Sequence, residues 1–364
     1  MSAAFNRVAI LGLGLIGGSL ARVLSKKKLA QHIAAYNHSN HALEYALEKG
    51  FIDSGLATAG NAVANADLII FATPPQVFSG LAAEIASHIA RGAVLMDVGS
   101  VKRQAIAAIK PHMPDYTHYV PAHPIAGSDK SGIEAGNAEL FSGRSVILTP
   151  EEAELNSDPV TRISLLWKQI GSRVEFMPPE MHDSIYAYVS HLPHIVAFAI
   201  APLMDKSFAE NAEYARFLRL THSSPALWAD ICLANADYAG QAMEDFIRFA
   251  AQMHGELKEN SQNNENGQGN VSLLFATLIA TCLVATASLV QDQIGVNPLR
   301  YAGTGFADMT ALAVHDPQEL LAQISAHTNV VAALLGNMLE RLQAFRAAIA
   351  GRHYEALVRL FSQQ

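Results

Sequence analysis

Residues 7–17 read RVAILGLGLIG, and this stretch decides the fold. An apolar strand runs directly into the pattern GxGxxG, formed by Gly12, Gly14 and Gly17, and a helical sequence follows it. The first glycine of such a loop permits a tight turn, the second lets the backbone approach a pyrophosphate, and the third lets helix and strand pack closely. The stretch therefore predicts a dinucleotide-binding loop; a glycine-rich turn without a ligand is the alternative.

The same region imitates a secretion signal, because residues 8–24 are apolar behind Arg7. Four glycines would weaken a signal helix, and the polar Ser19 and Arg22 interrupt its apolar core. We therefore favour the glycine loop.

Short apolar runs alternate with helical stretches from residue 7 to residue 150. The runs that read as strands are RVAILGLG, HIAAYNHS, ADLIIFAT, AVLMDVGS, HYVPAHPI and SVILTP. Several are apolar throughout, as expected for parallel strands that are covered on both faces. The alternation predicts a doubly wound α/β domain of the Rossmann type.

Two changes of character divide the chain of 364 residues. A polar, turn-rich segment begins at residue 151, and residues 258–270 (KENSQNNENGQGN) read as a flexible linker. The two helical parts share an order of segments that we interpret as a degenerate duplication, with chance similarity between Ala-rich helices as the alternative. The predicted domains are a dinucleotide-binding domain at 1–152, a helical substrate and dimerisation domain at 153–262, and a second helical repeat at 263–364.

Composition restricts the partners. Half of the residues are hydrophobic, the net charge is −8 and no basic stripe is visible, so we do not expect nucleic acid. Cys232 and Cys282 are too few for a disulfide framework or a zinc site, which favours a reducing cytoplasm and no metal. Residues 271–290 carry no charge, as in a membrane helix, but Ser, Thr and Ala dilute their hydropathy and no basic anchors flank them. We interpret this segment as a buried helix and expect no membrane partner.

The end of the second strand is the usual place for an acid that binds the ribose hydroxyls of NAD, yet Asn37, His38 and Ser39 stand there. Without a carboxylate the 2′-phosphate of NADP is not repelled, and without an arginine it is not strongly held. The sequence thus leaves NAD against NADP open. The residues expected to contact the cofactor are Gly12, Gly14, Leu15, Ile16, Gly17, Asn37, His38, Ser39, Thr73 and Pro74.

Polar clusters follow two further strands and open one long helix. They are DVGSVK at 97–102, HPIAGSDKSG at 123–132 and SHLPH at 190–194. Because ligands of open α/β sheets bind beyond the carboxyl ends of the strands, we expect the first two clusters to face the cofactor.

The glycine loop and these clusters, in this order, resemble the prephenate and arogenate (cyclohexadienyl) dehydrogenase family. The resemblance covers the first 200 residues well and continues less evenly behind them. It implies oxidative decarboxylation of prephenate to 4-hydroxyphenylpyruvate, or of arogenate to tyrosine, with hydride transfer to NAD or NADP. Family members usually dimerise through the helical domain, so we expect a homodimer; a monomeric pseudo-dimer built from the two helical halves is the alternative.

The resemblance also implies roles for individual residues. His123 is expected to accept the proton of the ring hydroxyl, because an imidazole titrates near working pH, and Ser100 to share that hydrogen bond. Arg219 is expected to clamp a substrate carboxylate with bidentate geometry. The other residues expected to bind the substrate are His194, His191, Ser128 and Asp129.

One departure from the family concerns the glycine-rich stretch that precedes the substrate arginine. It is missing before Arg219 and occurs instead at residues 301–308, where the arginine position is Ala311. The sequence therefore leaves open which helical half completes the site. Two other functions stay open as well: a β-hydroxyacid or imine dehydrogenase on the same cofactor fold, and a non-catalytic nucleotide-binding regulatory protein.

Overall fold

The structure is a computed structural model, and it describes residues 4–127, 130–204, 219–260, 271–313, 320, 324 and 327–363. The chain forms two compact units, residues 1–183 and residues 184–364. Ser128 and Asp129, two residues expected to bind substrate, lie outside the described residues.

The main sheet of the first unit has six parallel strands. They are β1 (Phe5–Leu11), β2 (Ala30–Tyr36), β3 (Ser54–Leu56), β4 (Leu68–Phe71), β5 (Val94–Asp97) and β6 (His118–Tyr119). The order β3-β2-β1-β4-β5-β6 is that of a doubly wound dinucleotide-binding sheet. The strands β2 and β3 are added on one side of β1, and β4, β5 and β6 are added on the other side. This confirms the predicted fold class.

Helices cover both faces of this sheet. They are α1 (Leu15–Lys27), α2 (Asn40–Glu48), α3 (Ala59–Val63), α4 (Phe78–Ile85), α5 (Lys102–Ile109) and α6 (Asp158–Ile170). In β1, Val8 and Ile10 belong to the core with α1, α2 and α6, whereas Ala9 and Leu11 belong to the core with α3, α4 and α5. Successive side chains of a strand point to opposite faces, so a strand that is apolar throughout needs this double cover.

The run HYVPAHPI, predicted as one strand, forms two. Pro121 lacks an N–H and interrupts the pairing, so β6 stays in the main sheet and β7 (Ala122–Pro124) belongs to a second, three-stranded sheet. There β7 pairs antiparallel with β8 (Ser145–Leu148), and β8 pairs parallel with β9 (Arg173–Phe176). Because β9 pairs with β8, the first unit extends beyond the predicted boundary at residue 152.

The second unit is helical. The boundary between the units falls within α7 (Pro179–Tyr186), and a π-helical turn (Ala187–His191) follows this helix in the second unit. Several α-helices come after it. They are α8 (Leu192–Ile200), α9 (Pro225–Ala234), α10 (Ala236–Asn260), α11 (Val271–Ile294), α12 (Thr304–Thr310), α13 (Thr328–Ala350) and α14 (Tyr354–Phe361). Helix α10 packs against α13, and α9 packs against α14. The duplication of the helical halves stays a prediction.

Two long apolar segments lie in this region. Pro179–Leu203 is long and apolar enough to cross a membrane, but 89% of its apolar window is buried in the protein, as in the core helix of a folded domain. In α11, side chains such as Phe275, Ile279 and Leu283 are fully buried, in line with our interpretation of residues 271–290. Burial thus accounts for the apolar character of both segments.

Candidate active site

The glycine loop has the close geometry that a dinucleotide requires. Gly12 has a φ of +103°, and a Cβ there would lie 2.7 Å from the carbonyl oxygen of Ala72. A Cβ at Gly17 would lie 2.0 Å from the carbonyl oxygen of Gly12. A Cβ at Gly14 would meet nothing within 4 Å, which leaves open space at the start of α1, where a pyrophosphate is expected.

Two further observations fit NAD or NADP at this place. Helix α1 has no acidic residue in its first turn, so its N-terminal N–H groups attract a phosphate. The hydroxyl oxygen of Thr73 is buried without a hydrogen-bond partner, and its methyl carbon would lie 2.8 Å from a Cβ on Gly12. A buried hydroxyl without a partner is costly, so a ligand that pairs with it would be stabilised.

Asn37, at the end of β2, holds the glycine loop. Its Oδ1 accepts a hydrogen bond from the N–H of Leu13 at 2.9 Å, and its Nδ2 donates to the carbonyl of Ser39 at 3.3 Å. Ser39 is the N-cap of α2 but makes no side-chain capping bond, and His38 is exposed. This strand end presents no carboxylate, so it is compatible with both NAD and NADP.

The predicted cofactor residues follow the carboxyl ends of three adjacent strands. Leu15 and Ile16 begin α1 behind β1, Asn37 follows β2, and Thr73 and Pro74 follow β4. Because the strands are parallel neighbours, the structure brings these residues to one edge of the sheet.

Gly14→Ala is expected to weaken cofactor binding without unfolding the protein. The added Cβ stands in open space, so the free energy of unfolding should change by less than about 0.5 kcal/mol. It also fills the place where the pyrophosphate approaches, so the Kd for the dinucleotide, measured by calorimetry, should rise about tenfold or more. Gly17→Ala is the contrasting control: its Cβ overlaps the backbone, so it should lower stability by about 3 kcal/mol. An unchanged Kd for the Gly14 variant would contradict the assignment of the loop.

Hydrogen bonds link the side chains of Asp183, His182 and His123. His182 Nδ1 lies 2.7 Å from Asp183 Oδ1, and His182 Nε2 lies 2.8 Å from His123 Nδ1. A carboxylate only accepts, so His182 Nδ1 donates, and in the neutral ring Nε2 carries the lone pair. That lone pair accepts from His123 Nδ1–H, so the lone pair of His123 is on Nε2. We call these three residues the relay.

The N-terminus of α5 holds the carboxylate of the relay. Asp183 Oδ1 accepts from the N–H of Lys102 at 2.8 Å, and Oδ2 accepts from the N–H of Arg103 at 2.9 Å. Val101, at the N-cap of this helix, has no side-chain oxygen, so Asp183 takes the capping role from a distant part of the sequence. The positive end of the helix dipole stabilises its charge.

A buried ion pair supports the strand that carries His123. Lys102 and Asp97 are fully buried; the ammonium of Lys102 donates to Asp97 and to the carbonyl oxygen of Ala122, and the Tyr119 hydroxyl donates to Asp97 at 2.8 Å. Burial lowers the pKa of Lys102, an effect that Asp97 opposes. Burial, together with Asp97, raises the pKa of Tyr119. The pair joins the end of β5 and the start of α5 to β7, next to His123.

Ser100 lies between β5 and α5 and is partly exposed. Its hydrogen bond to substrate stays a prediction. The sequence pattern gave no role to His182 or Asp183. It also predicted that the cluster at 97–102 faces the cofactor, but its two charged ends, Asp97 and Lys102, are fully buried as an ion pair. A usable signal was present, because His182 and Asp183 stand together directly before a long apolar run, where a polar pair needs a partner.

The second unit brings its predicted substrate-binding residues together. Arg219 Nε and Nη2 lie 2.7 and 2.5 Å from Asp308 Oδ2. The ring of His194 stacks on Trp228, with centroids 3.5 Å apart and planes inclined by 22°. A Cβ on Gly305 would lie 3.3 Å from His194 Cε1. The arginine of one helical half and the glycine stretch of the other, which the sequence separates, therefore meet in one cluster.

His191 packs next to this cluster. It is buried, its ring lies 6.3 Å from that of Trp228, and its Nδ1 accepts a hydrogen bond from Asn235 Nδ2 at 3.2 Å. A direct contact of His191 with the substrate stays a prediction.

Comparison with known proteins identifies the family. The nucleotide-binding domain of prephenate dehydrogenase matches residues 20–176, and the prephenate dehydrogenase dimerization domain matches residues 178–267. The cyclohexadienyl dehydrogenase of Zymomonas mobilis is 32% identical over 252 residues, which are 67% of this chain and 85% of that protein. This chain belongs to the prephenate dehydrogenase family.

Further members of the prephenate dehydrogenase family are similar. The prephenate dehydrogenase of Bacillus subtilis is 31% identical over 71% of this chain and 72% of its own length. The crystal structure of prephenate dehydrogenase from A. aeolicus in complex with hydroxyphenyl propionate and NAD+ has a TM-score of 0.62 and 29% identity, and covers 70% of this chain and 90% of that chain. Membership in this family confirms the predicted family, and with it the prediction of an NAD(P)-dependent oxidoreductase of tyrosine biosynthesis.

Proposed function

We propose that this chain oxidises and decarboxylates prephenate or arogenate, with His123 as the base. The relay is the observation that carries the proposal, because it gives His123 Nε2 the lone pair that a base needs. The named activities of the relatives support the same reaction.

In this mechanism the bound dinucleotide supplies the hydride acceptor. His123 Nε2 takes the proton of the ring hydroxyl while hydride leaves the carbon that bears this hydroxyl, so the C–OH group becomes a carbonyl. The bond from the ring to its carboxylate then breaks and carbon dioxide leaves. The electron pair of that bond moves through the ring onto the carbonyl oxygen, which takes the proton back from His123 as the ring becomes aromatic. Asp183 stabilises the positive charge that the proton brings to the two imidazoles.

We assign carboxylate binding to the cluster in the second unit. The Nε and Nη2 groups of Arg219 donate to Asp308, which fixes the guanidinium, and we assign the Nη1 group to a carboxylate of the substrate. The stacked rings of His194 and Trp228 provide a flat wall beside it.

The assembly and cellular place are also proposals. The match to a dimerization domain supports a homodimer, whereas the Arg219–Asp308 pair, which joins the two helical halves within one chain, supports a monomeric pseudo-dimer. Light scattering separates one chain mass from two. Cys232 and Cys282 are both free and buried, which agrees with a reducing cytoplasm.

The deciding experiment is a four-way initial-rate assay that combines prephenate or arogenate with NAD or NADP. We expect reduction of the nicotinamide, followed by absorbance, with at least one pair. A protein that binds the dinucleotide but reduces it with neither substrate would instead be the regulatory alternative.

Arg219→Ala is expected to raise KM rather than lower kcat. A charge-assisted hydrogen bond contributes about 1.5–3 kcal/mol, so KM should rise roughly 10- to 150-fold, while kcat changes only a few-fold. Arg346→Ala is the matched control, because Arg346 makes an exposed pair with Glu244 in the same unit and should leave KM unchanged. An unaltered KM for the Arg219 variant would rule out this carboxylate site.

A further inference from the structure

A cleft in the first unit takes no part in the reaction proposed above. It has a volume of about 1020 Å³ and lies between α5, the residues that follow β8 and β9, and the first residues of α7. Its lining residues fall between positions 103 and 180, within the first unit. None of the described residues that we expect to contact the cofactor or the substrate is among them.

The buried lining residues form the floor of this cleft, which is apolar apart from one hydroxyl. Tyr119, Pro121, Pro150 and Met177 line the cleft and are buried. Thr149 also lines it, is 1% exposed, and has a hydroxyl oxygen without a hydrogen-bond partner among the described residues. Because a buried hydroxyl without a partner is costly, a ligand in the cleft that pairs with Thr149 would be stabilised.

The more exposed lining residues form the rim of the cleft, which is acidic. Of the described residues that line the cleft, five are acidic and two, Arg103 and Lys110, are basic. Lys110 is paired with Glu151. The other four acids form no ion pair with a described residue, and they are Asp115, Glu152, Glu154 and Glu180. The rim therefore repels anions, such as a dicarboxylate or the phosphates of the dinucleotide, and attracts a cation.

The floor and the rim together fit a small apolar amine. An ammonium group carries three donors and no acceptor, so it can donate to the hydroxyl oxygen of Thr149 and to carboxylates of the rim. The apolar body of the ligand would cover the floor and remove Leu155 and Phe176 from water. These two lining residues are 40% and 44% exposed.

The walls of the cleft include residues that are bonded to the relay and to the buried ion pair. Arg103 lines the cleft, and its N–H donates to Asp183 of the relay at 2.9 Å. Glu180, another lining residue, stands on α7 three residues before Asp183. Tyr119 donates to Asp97 of the buried ion pair at 2.8 Å. A ligand that contacts these walls therefore acts on the groups that support the base.

We propose that this cleft is a second ligand site, which takes a small apolar amine and transmits its occupancy to the relay. The ligand contacts α5 on one side and the start of α7 on the other. Asp183, which α7 carries, caps α5, so any change in how the two helices meet reaches His182 and His123 through this carboxylate.

Calorimetry on the full-length protein with saturating dinucleotide tests the binding. The probe is phenethylamine, whose Kd should lie below about 1 mM. Phenethyl alcohol, which carries a hydroxyl in place of the ammonium, should bind about tenfold or more weakly, because it lacks the charge that the rim attracts. A Kd of the amine above that limit, or equal Kd values for the two probes, would overturn the inference.

Two variants test whether the amine binds in the cleft. Ala107→Trp, at an exposed lining position of α5, fills the cleft and should raise the Kd of the amine about tenfold or more. Ala153→Trp is the matched control, because Ala153 is exposed but does not line the cleft. Thr149→Val removes the unpartnered hydroxyl, so its Tm should not fall, whereas its Kd for the amine should rise about tenfold. Wild-type affinity in Ala107→Trp or in Thr149→Val would refute the site.

Transmission to the relay is measured without turnover. Saturation with phenethylamine should shift the nitrogen NMR signals of His123 and His182 in the wild type and leave them in place in Ala107→Trp. Signals that stay in place while the amine is bound to the wild type would overturn the link to the relay. Because neither calorimetry nor NMR needs a substrate, a protein that lacks the proposed activity would still decide this inference.

Discussion

His123→Asn should lower kcat by about two to four orders of magnitude, the range for a lost acid–base group. Asparagine can still hydrogen-bond to His182, but it has no nitrogen that accepts a proton at neutral pH. KM should change only a few-fold, because the cluster of the second unit, to which we assign carboxylate binding, is untouched. Initial rates at saturating dinucleotide measure both constants.

Cofactor affinity is the control for His123→Asn. The Kd of the dinucleotide should equal that of the wild type, because the glycine loop lies at other strand ends. A variant that turns over at the wild-type rate would disprove the assignment of the base.

Asp183→Asn should lower kcat to a similar extent, by about two to four orders of magnitude. The carboxylate accepts hydrogen bonds from His182 and from the N–H groups of Lys102 and Arg103. The oxygen of asparagine can take the place of Oδ1 and keep the bonds from His182 and Lys102, but its NH2 group then faces the N–H of Arg103, and the negative charge is lost. The positive charge that the proton brings to the two imidazoles is then no longer stabilised, so proton transfer to His123 becomes slower.

Further measurements separate this positioning role from a merely structural one. Nitrogen NMR of the imidazoles should show the wild-type tautomers, and kcat should fall far more than KM rises. Asp183→Glu, which restores a carboxylate, should recover part of the rate. Asp53→Asn is the control, because Asp53 accepts a backbone N–H from β2 outside the relay and should keep the wild-type kcat. If Asp183→Asn lost stability but retained kcat, Asp183 would be a helix cap only.

Local patterns predicted the parts of this enzyme that depend on neighbours in sequence. The glycine loop, the apolar parallel strands and the missing acid at Asn37 are each contained in a few consecutive residues. His123 was found through a family resemblance, but its support was not, because His182 and Asp183 reach it across a long separation in sequence. Periodicity carries no information on such a contact.

Two other features lay beyond sequence reasoning for related reasons. The run HYVPAHPI has the continuous apolar pattern of a single strand. Only the structure shows that it is divided at Pro121 into two strands that belong to different sheets. Arg219 and Asp308 belong to different helical halves, so their ion pair cannot be predicted from the local sequence around either residue. In both cases the packing of distant segments decides what the local pattern leaves open.

The position of Asp183 limits how this enzyme can be recombined. The matched nucleotide-binding domain ends at residue 176, yet His182 and Asp183, which hold His123 in the relay, come after it. A chimera that grafted a foreign helical region at residue 176, or at 152, would inherit a complete dinucleotide fold with an unsupported imidazole. A functional graft must keep the native chain through Asp183. The segment that can be exchanged as a unit is therefore longer than the nucleotide-binding domain that the family comparison matches.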